Sequence, residues 1–326
     1  MSAAFSRGCI LDAESLGPGL DFRELRQAVA EWDWHDRSAD AEAPARIGDA
    51  EVVVTNKVRL GEEAFAAARA LRLVCVAATG VNNVDLEAAA RHGVTVCNAT
   101  GYGTPSVVQH TLALMLALAT RLEDYHAAVR AGDWAASPHF CLLDYPITEL
   151  AGRTLGIVGH GTLGRGVARV AEALGMTVRV AARPGAARVE PDRVALADLL
   201  PAADVLSLHC PLTPETRGLI GAAELARMKD SAFLINTARG GIVDEPALAD
   251  ALRAGTIAGA GVDVLTVEPP RAGNPLLAAD IPNLIVTPHS AWGSHASRQR
   301  LVDQVAANIG AFADGAPRNV VGGPGA

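Results

Sequence analysis

Gly159-His160-Gly161-Thr162-Leu163-Gly164 is the stretch on which the fold turns. Alone, the pattern G-x-G-x-x-G is a weak signal, because glycine-rich turns are common. Its flanks strengthen it. Thr154-Leu155-Gly156-Ile157-Val158 reads as a strand entering the turn. Leu163, Val167, Val170 and Leu174 then recur on one face of a helix, which Gly175 closes. In this context Gly159 permits the tight turn and Gly161 lets the backbone approach a pyrophosphate. Gly164 lets helix and strand pack closely, and the helix N-terminus around Thr162 offers N–H donors to the anion. His160 and Leu163 complete the loop. A site restricted to NAD places Asp or Glu about 20 residues further on, against the ribose 2′-hydroxyl. Ala181-Ala182-Arg183 stands there instead. Arg183 suits a 2′-phosphate or the adenine face, or it is a solvated surface arginine. Both NAD and NADP therefore stay open.

Outward from this loop, apolar β-like runs alternate with helix-like runs. TLGIVG, MTVRVA, DVLSLH, AFLINTA, IAGAGVDVL and NLIVTPH follow one another after Arg153. They describe a doubly wound, mostly parallel sheet of the Rossmann type. A second α/β series precedes it: CILDAE, EVVVTN, LVCVAA and VTVCN, with helices expected over 61–71 and 86–92. Gly101-Tyr-Gly-Thr-Pro105 interrupts the rhythm, and one long helix is expected over 106–130. A last helix, with Leu301, Val305 and Ile309 at helical spacing, runs from Trp292 to about Asp314.

The chain has 326 residues, enough for about two domains. Half of them are hydrophobic, so a sizeable core forms and wholesale disorder is excluded. The 28 basic and 36 acidic side chains give a formal charge of −8 without any dense basic run. A nucleic-acid or anionic-membrane partner is not expected. Five widely spaced cysteines without a CxxC pair argue against a disulfide framework or a zinc site, and fit a reducing cytoplasm. The first residues carry no apolar run long enough for a signal peptide. The apolar stretch 112–119 is far short of the roughly 20 residues that span a bilayer.

Ligands of doubly wound sheets bind at the carboxyl ends of the strands. Three polar residues stand just past apolar strands: Arg239 in N-T-A-R-G-G, Glu268 in L-T-V-E-P-P and His289 in T-P-H-S-A-W. Arginine offers a planar fork to a carboxylate or carbonyl oxygen. Hydride addition to a 2-keto acid makes an alkoxide that needs a proton, which histidine supplies near neutral pH. A neighbouring glutamate favours the imidazolium. Taken singly, Arg239 is as well explained by a structural ion pair, Glu268 by a loop charge and His289 by a satisfied buried histidine. Together, beside a dinucleotide loop, they point to catalysis.

With GHGTLG, LHCPLTPETRGLIG, MKDSAFLINTARGGIVDEPALADAL, GVDVLTVEPP and TPHSAW, nearly the whole chain resembles the D-2-hydroxyacid dehydrogenases. VTNKVRL, VAATGVNNVDL, GYGTPSVVQHTLALMLALATRL and FCLLD are similar to the glycerate dehydrogenase, or hydroxypyruvate reductase, branch. The resemblance implies reduction of hydroxypyruvate to D-glycerate, and of glyoxylate, through Arg239, Glu268 and His289. It implies a smaller, flavodoxin-like α/β substrate domain over 1–101 and 290–326, around a dinucleotide-binding domain over 102–289, with a hinge near 101–105. Thr104, Cys210, Pro211, Thr237, Ala238 and Asp263 would line the nicotinamide side. Lys57, Thr79, Gly80 and Val81 would meet the substrate, the last three through backbone N–H groups. A homodimer built largely from the segment after the hinge is also implied. The chain departs from the family at Ala182-Arg183, which leaves cofactor choice open, and at Gln109-His110, where many relatives carry a glutamate before the histidine. Glu268 argues against formate dehydrogenase activity, and no added regulatory domain is expected. Two other readings stand beside this one. A broader 2-keto acid reductase would differ in pocket size, with Phe140 and Trp292 shaping the pocket. A cofactor-sensing corepressor would carry longer tails.

Overall fold

The computed structural model describes residues 4–186 and 188–324. The chain divides into two compact units, one from residues up to Gly103 together with Gly293 onward, the other Thr104–Trp292. The boundaries fall at 103/104 and 292/293, beside those expected at 101/102 and 289/290.

The first unit holds strands β1 (Arg7–Ile10), β2 (Glu31–Trp34), β3 (Val52–Thr55), β4 (Leu73–Val76) and β5 (Thr95–Cys97). After the long helix His295–Ala313 the chain returns as β12 (Val320–Gly322). The sheet order is β12-β5-β4-β3-β1-β2. Its five parallel strands run 2-1-3-4-5, the flavodoxin order. β12 lies antiparallel on β5, with Val320 opposite Cys97. The strand sequences explain their places. VVVT and LVCV are buried at every residue, as central parallel strands under helices must be. EWDW, on the outer edge, is exposed or half-buried throughout. Asn308 Nδ2 of the C-terminal helix donates to Asn98 O at 2.8 Å, and Arg298 Nη1 donates to Leu16 O at 2.9 Å. These bonds tie the late segment into the early one.

The second unit holds β6 (Thr154–Val158), β7 (Thr177–Val180), β8 (Val205–Leu208), β9 (Phe233–Asn236), β10 (Gly259–Val262) and β11 (Leu284–Val286), all parallel. The order is β11-β10-β9-β8-β6-β7. Val194 forms a single parallel bridge to Ala181 beyond β7. Counting that bridge as a strand gives 3-2-1-4-5-6-7, the Rossmann order with one strand added. The order reverses between β6 and β8, so a crevice for a ligand is expected above those two strands.

Two expectations need correction. The helix expected over 106–130 is two helices, Thr104–Thr120 and Leu122–Ala131, broken at Arg121 with φ 54°. The cause is local. Thr148 N–H donates to Ala119 O at 2.8 Å, taking a carbonyl that a continuing helix would have used. Arg121 lies over the Tyr145 ring at 5.5 Å, seating the same incoming segment. In the helix Thr162–Ala173, the buried stripe is Gly164, Val167, Ala168 and Ala171. Val170 and Leu174, expected on that face, are among the exposed apolar residues, and Leu163 is half-buried. Small residues line the stripe because the helix is wedged closely. A Cβ on Gly166 would stand 2.6 Å from Val108 Cγ2.

Candidate active site

The phosphate loop leaves β6 at Val158. Gly159 has φ +92°, and a Cβ there would lie 2.6 Å from Cys210 N at the end of β8. Backbone and packing both demand glycine. A Cβ on Gly164 would lie 2.1 Å from Gly159 O, so the helix start presses directly on the turn. Gly161 differs. Its φ is −75° and nothing lies within 4 Å of its missing Cβ. The protein itself does not require glycine there, whereas a ligand lying against the backbone would. Gly161 provides no side-chain cap to the helix Thr162–Ala173, so the first-turn N–H groups have none from it. Desolvation, and then the charges of Arg193 and Arg165, hold the His160 imidazole below its usual pKa. These residues fit a dinucleotide pyrophosphate. Gly164→Ala should displace the turn at a cost of about 1–3 kcal/mol, which weakens dinucleotide binding by up to about 150-fold where it falls on the bound state. Calorimetric titration checks this, and unchanged affinity would refute it.

At the end of β7, Ala182 is half-buried and Arg183 is exposed. Arg183 makes no side-chain hydrogen bond or ion pair among the described residues. Among the described residues, the segment 181–183 offers no carboxylate for a ribose, and the Arg183 side chain has no partner.

Arg239 follows β9 and is half-buried. Its Nη1 donates to Ala238 O at 2.7 Å, and it pairs with no carboxylate among the described residues. The reading of Arg239 as a structural ion pair therefore fails. His289 Nδ1 and Glu268 Oε2 are 2.6 Å apart, with side-chain exposures of 29% and 35%. That is neither a sealed core histidine nor a loose loop charge. No partner faces His289 Nε2 among the described residues. A carboxylate on Nδ1 fixes the proton there and orients the ring, leaving Nε2 to act on a ligand.

His289 itself sits in the left-handed region, with φ 52°. The cause is Asp263, which is 1% exposed. Its Oδ1 accepts from Thr287 Oγ1 at 2.5 Å and from Ser290 N–H at 2.9 Å, and its Oδ2 accepts from Ala291 N–H at 3.0 Å. Its carbonyl accepts His289 N–H at 2.7 Å. The loop around the histidine is thus wrapped on one buried carboxylate. His110 Nε2 reaches Thr287 Oγ1 at 2.9 Å, so the departure at Gln109-His110 lies behind this same loop.

The remaining expected residues take these places. Cys210, Thr237 and Ala238 are buried at the ends of β8 and β9, and Pro211 is exposed. Thr237 Oγ1 bonds to Thr111 Oγ1 at 2.9 Å. Burial pushes the Cys210 thiol up to about 11, so it stays protonated near neutral pH. Thr104 is half-buried at the start of its helix. In the first unit, Thr79 Oγ1 donates to Ala99 O at 2.9 Å and Asn98 Nδ2 donates to Thr79 O at 2.7 Å. These bonds brace the loop carrying Gly80 and Val81. Lys57 is carried by a turn that Asp12 organises. The buried Asp12 carboxylate accepts the N–H groups of Asn56, Lys57 and Val58 at 2.9, 2.6 and 3.3 Å. Neither Asp12 nor the structural use of Asp263 was legible from the sequence, because a buried acid is not marked in a sequence.

Residues 112–291 match the family model described as the D-isomer specific 2-hydroxyacid dehydrogenase, NAD binding domain. The chain is 46% identical over 313 residues to a glycerate dehydrogenase from Methylorubrum extorquens, covering 95% of this chain and 97% of that one. It is 41% identical over 319 residues to a hydroxypyruvate reductase from Blautia hydrogenotrophica, covering 96% and 98%. Among solved structures, an NADPH-dependent glyoxylate/hydroxypyruvate reductase from Sinorhizobium meliloti superposes with a TM-score of 0.81 at 28% identity, covering 97% of each chain.

Proposed function

The chain belongs to the D-isomer specific 2-hydroxyacid dehydrogenase family, an oxidoreductase with an NAD-binding domain, and we propose that it reduces hydroxypyruvate to D-glycerate, with glyoxylate as a second substrate. The observation that carries the chemistry is His289, held by Glu268 at Nδ1 with Nε2 left for a ligand. The substrate assignment is supported by relatives named for glycerate and hydroxypyruvate.

When bound, a nicotinamide cofactor would supply the hydride for the keto carbon. Arg239 holds the substrate through charge-assisted hydrogen bonds to its oxygens. His289 Nε2 gives its proton to the alkoxide as it forms, leaving neutral imidazole that solvent re-protonates. Glu268 holds Nδ1 and so fixes the ring with Nε2 toward the substrate. Lys57 and the N–H groups of Thr79, Gly80 and Val81 take the substrate carboxylate, so Lys57→Ala should raise KM for hydroxypyruvate about tenfold with little change in kcat. An unchanged KM would remove Lys57 from the site. Thr104, Pro211, Cys210, Thr237, Ala238 and Asp263 would form the nicotinamide side.

Steady-state oxidation of NADH and NADPH with hydroxypyruvate, glyoxylate, pyruvate and phenylpyruvate tests the reading. Hydroxypyruvate should be preferred. A preference for phenylpyruvate would keep the chemistry and discard the substrate. The cofactor ratio decides whether Arg183 reads a 2′-phosphate.

The protein is also proposed to be a homodimer. Leu116, Leu122, Val129, Trp134, Phe140, Leu143 and Ile147 are all exposed large apolar residues, and Phe140 is 90% exposed. Exposed apolar surface on this scale marks an interaction site more often than open solvent contact. Phe140→Asp with Leu143→Asp should yield monomers in sedimentation equilibrium, whereas a monomeric parent protein would end the proposal. Among the described residues no helix is long and apolar enough to cross a membrane. All five cysteines are unpaired, which supports placement in the cytoplasm, testable by cell fractionation.

A further inference from the structure

Val243-Asp244-Glu245-Pro246 follows Arg239 closely, and the chemistry above uses none of it. Asp244 has a local task. It caps the helix Glu245–Arg253 by accepting Ala247 N–H at 3.0 Å. Glu245 has no such local task. It is 8% exposed and pairs with no cation among the described residues. A buried carboxylate is costly unless donors satisfy it, so its partners explain its presence. Glu245 Oε1 accepts Thr266 N–H at 2.6 Å and Thr266 Oγ1–H at 2.9 Å. Glu245 Oε2 accepts from Asn274 Nδ2 at 2.6 Å.

Thr266 and Asn274 are the two ends of the loop that carries Glu268. One carboxylate therefore ties both sides of the loop's neck. Inside the neck, Leu265 N–H donates to Glu268 Oε1 at 2.8 Å. Beneath it, a Cβ on Gly240 would lie 1.9 Å from Leu265 O, so the backbone just after Arg239 is pressed against the base of the loop. Glu268 meets His289 through its other oxygen, Oε2.

We infer that Glu245 is a positioning residue for reduction: by closing the neck of loop 266–274 it holds Glu268 against His289 Nδ1. The inference rests on the roles proposed for Glu268 and His289. An apolar residue of the same size would fill the space but hold neither Thr266 nor Asn274. Glutamine keeps an acceptor for Thr266 yet turns a second donor toward Asn274, whose Oδ1 is already taken by Leu276 N–H at 2.9 Å.

The test is hydroxypyruvate reduction measured across pH for the parent protein, Glu245→Gln, Glu268→Gln and the double variant. Glu245→Gln should lower kcat about tenfold and change the shape of the pH profile in the same way as Glu268→Gln. KM for NADH should not change. The double variant should be no slower than Glu268→Gln alone, because both changes remove one arrangement. A merely structural role would leave the shape of the profile unchanged and make the losses additive, and either result would overturn the inference. If Glu245→Gln does not fold, Glu245→Asp carries the same comparison, with the charge kept and the reach shortened. A Glu268→Gln profile identical to the parent's would remove the role of Glu268, and with it this inference. If another 2-keto acid proves to be the substrate, the four-way comparison holds on that acid.

Discussion

His289→Ala is expected to lower kcat for 2-keto acid reduction by about 10²–10⁴-fold, the usual worth of a positioned general acid. The fold should survive, because the loop around His289 is held through backbone groups on Asp263 rather than by the imidazole. Affinity for NADH should be unchanged, so the loss appears in turnover. Glu268→Gln should cost less and do something different. The ring loses the carboxylate 2.6 Å from Nδ1, so its orientation and tautomer are no longer fixed. The loss should therefore appear in kcat for reduction, with NADH affinity unchanged. A His289→Ala protein with near-normal turnover would remove the histidine from the chemistry. A Glu268→Gln protein with the parent's kcat would remove the glutamate from it.

Arg239→Ala is the second large effect, expected at about 10²–10³-fold in kcat/KM. Truncating one side of a hydrogen-bonded charge pair costs roughly 2–5 kcal/mol, and each 1.4 kcal/mol is about tenfold. The stability cost should be small, since the guanidinium has no carboxylate partner among the described residues and makes one side-chain bond, to Ala238 O at 2.7 Å. Arg239→Lys should recover part of the rate but not all, because an ammonium keeps the charge and loses the fork. A thermal midpoint that collapses in step with activity would show Arg239 to be structural. Full rescue by lysine would show that charge alone matters.

The parallel core was legible because its signals are chemical and local. Apolar runs such as FLIN and LVCV leave no other state than buried strands. The turn glycines at 159 and 164 are demanded by backbone angle and contact, which a motif records. What escaped was set by partners distant in sequence. EWDW alternates bulky and charged residues, and only its pairing with β1 at the sheet edge makes it a strand. The break at Arg121 depends on a carbonyl taken from 29 residues away by Thr148. Asp12, Asp263 and Glu245 look like any other acids until the fold buries them against backbone donors. In each case the missing information was a contact.

The first unit needs both chain ends: β12 closes the sheet on β5, and the helix His295–Ala313 is packed within the same unit. The second unit has its whole sequence by Trp292. A ribosome therefore delivers the middle of this protein complete while its beginning is still waiting. For on the order of ten seconds or more at ordinary synthesis rates, β1 to β5 exist with the β5 edge bare and their last helix not yet made. That half-built sheet, rather than the nucleotide-binding unit, is where a nascent chain is open to mispairing and to capture by chaperones.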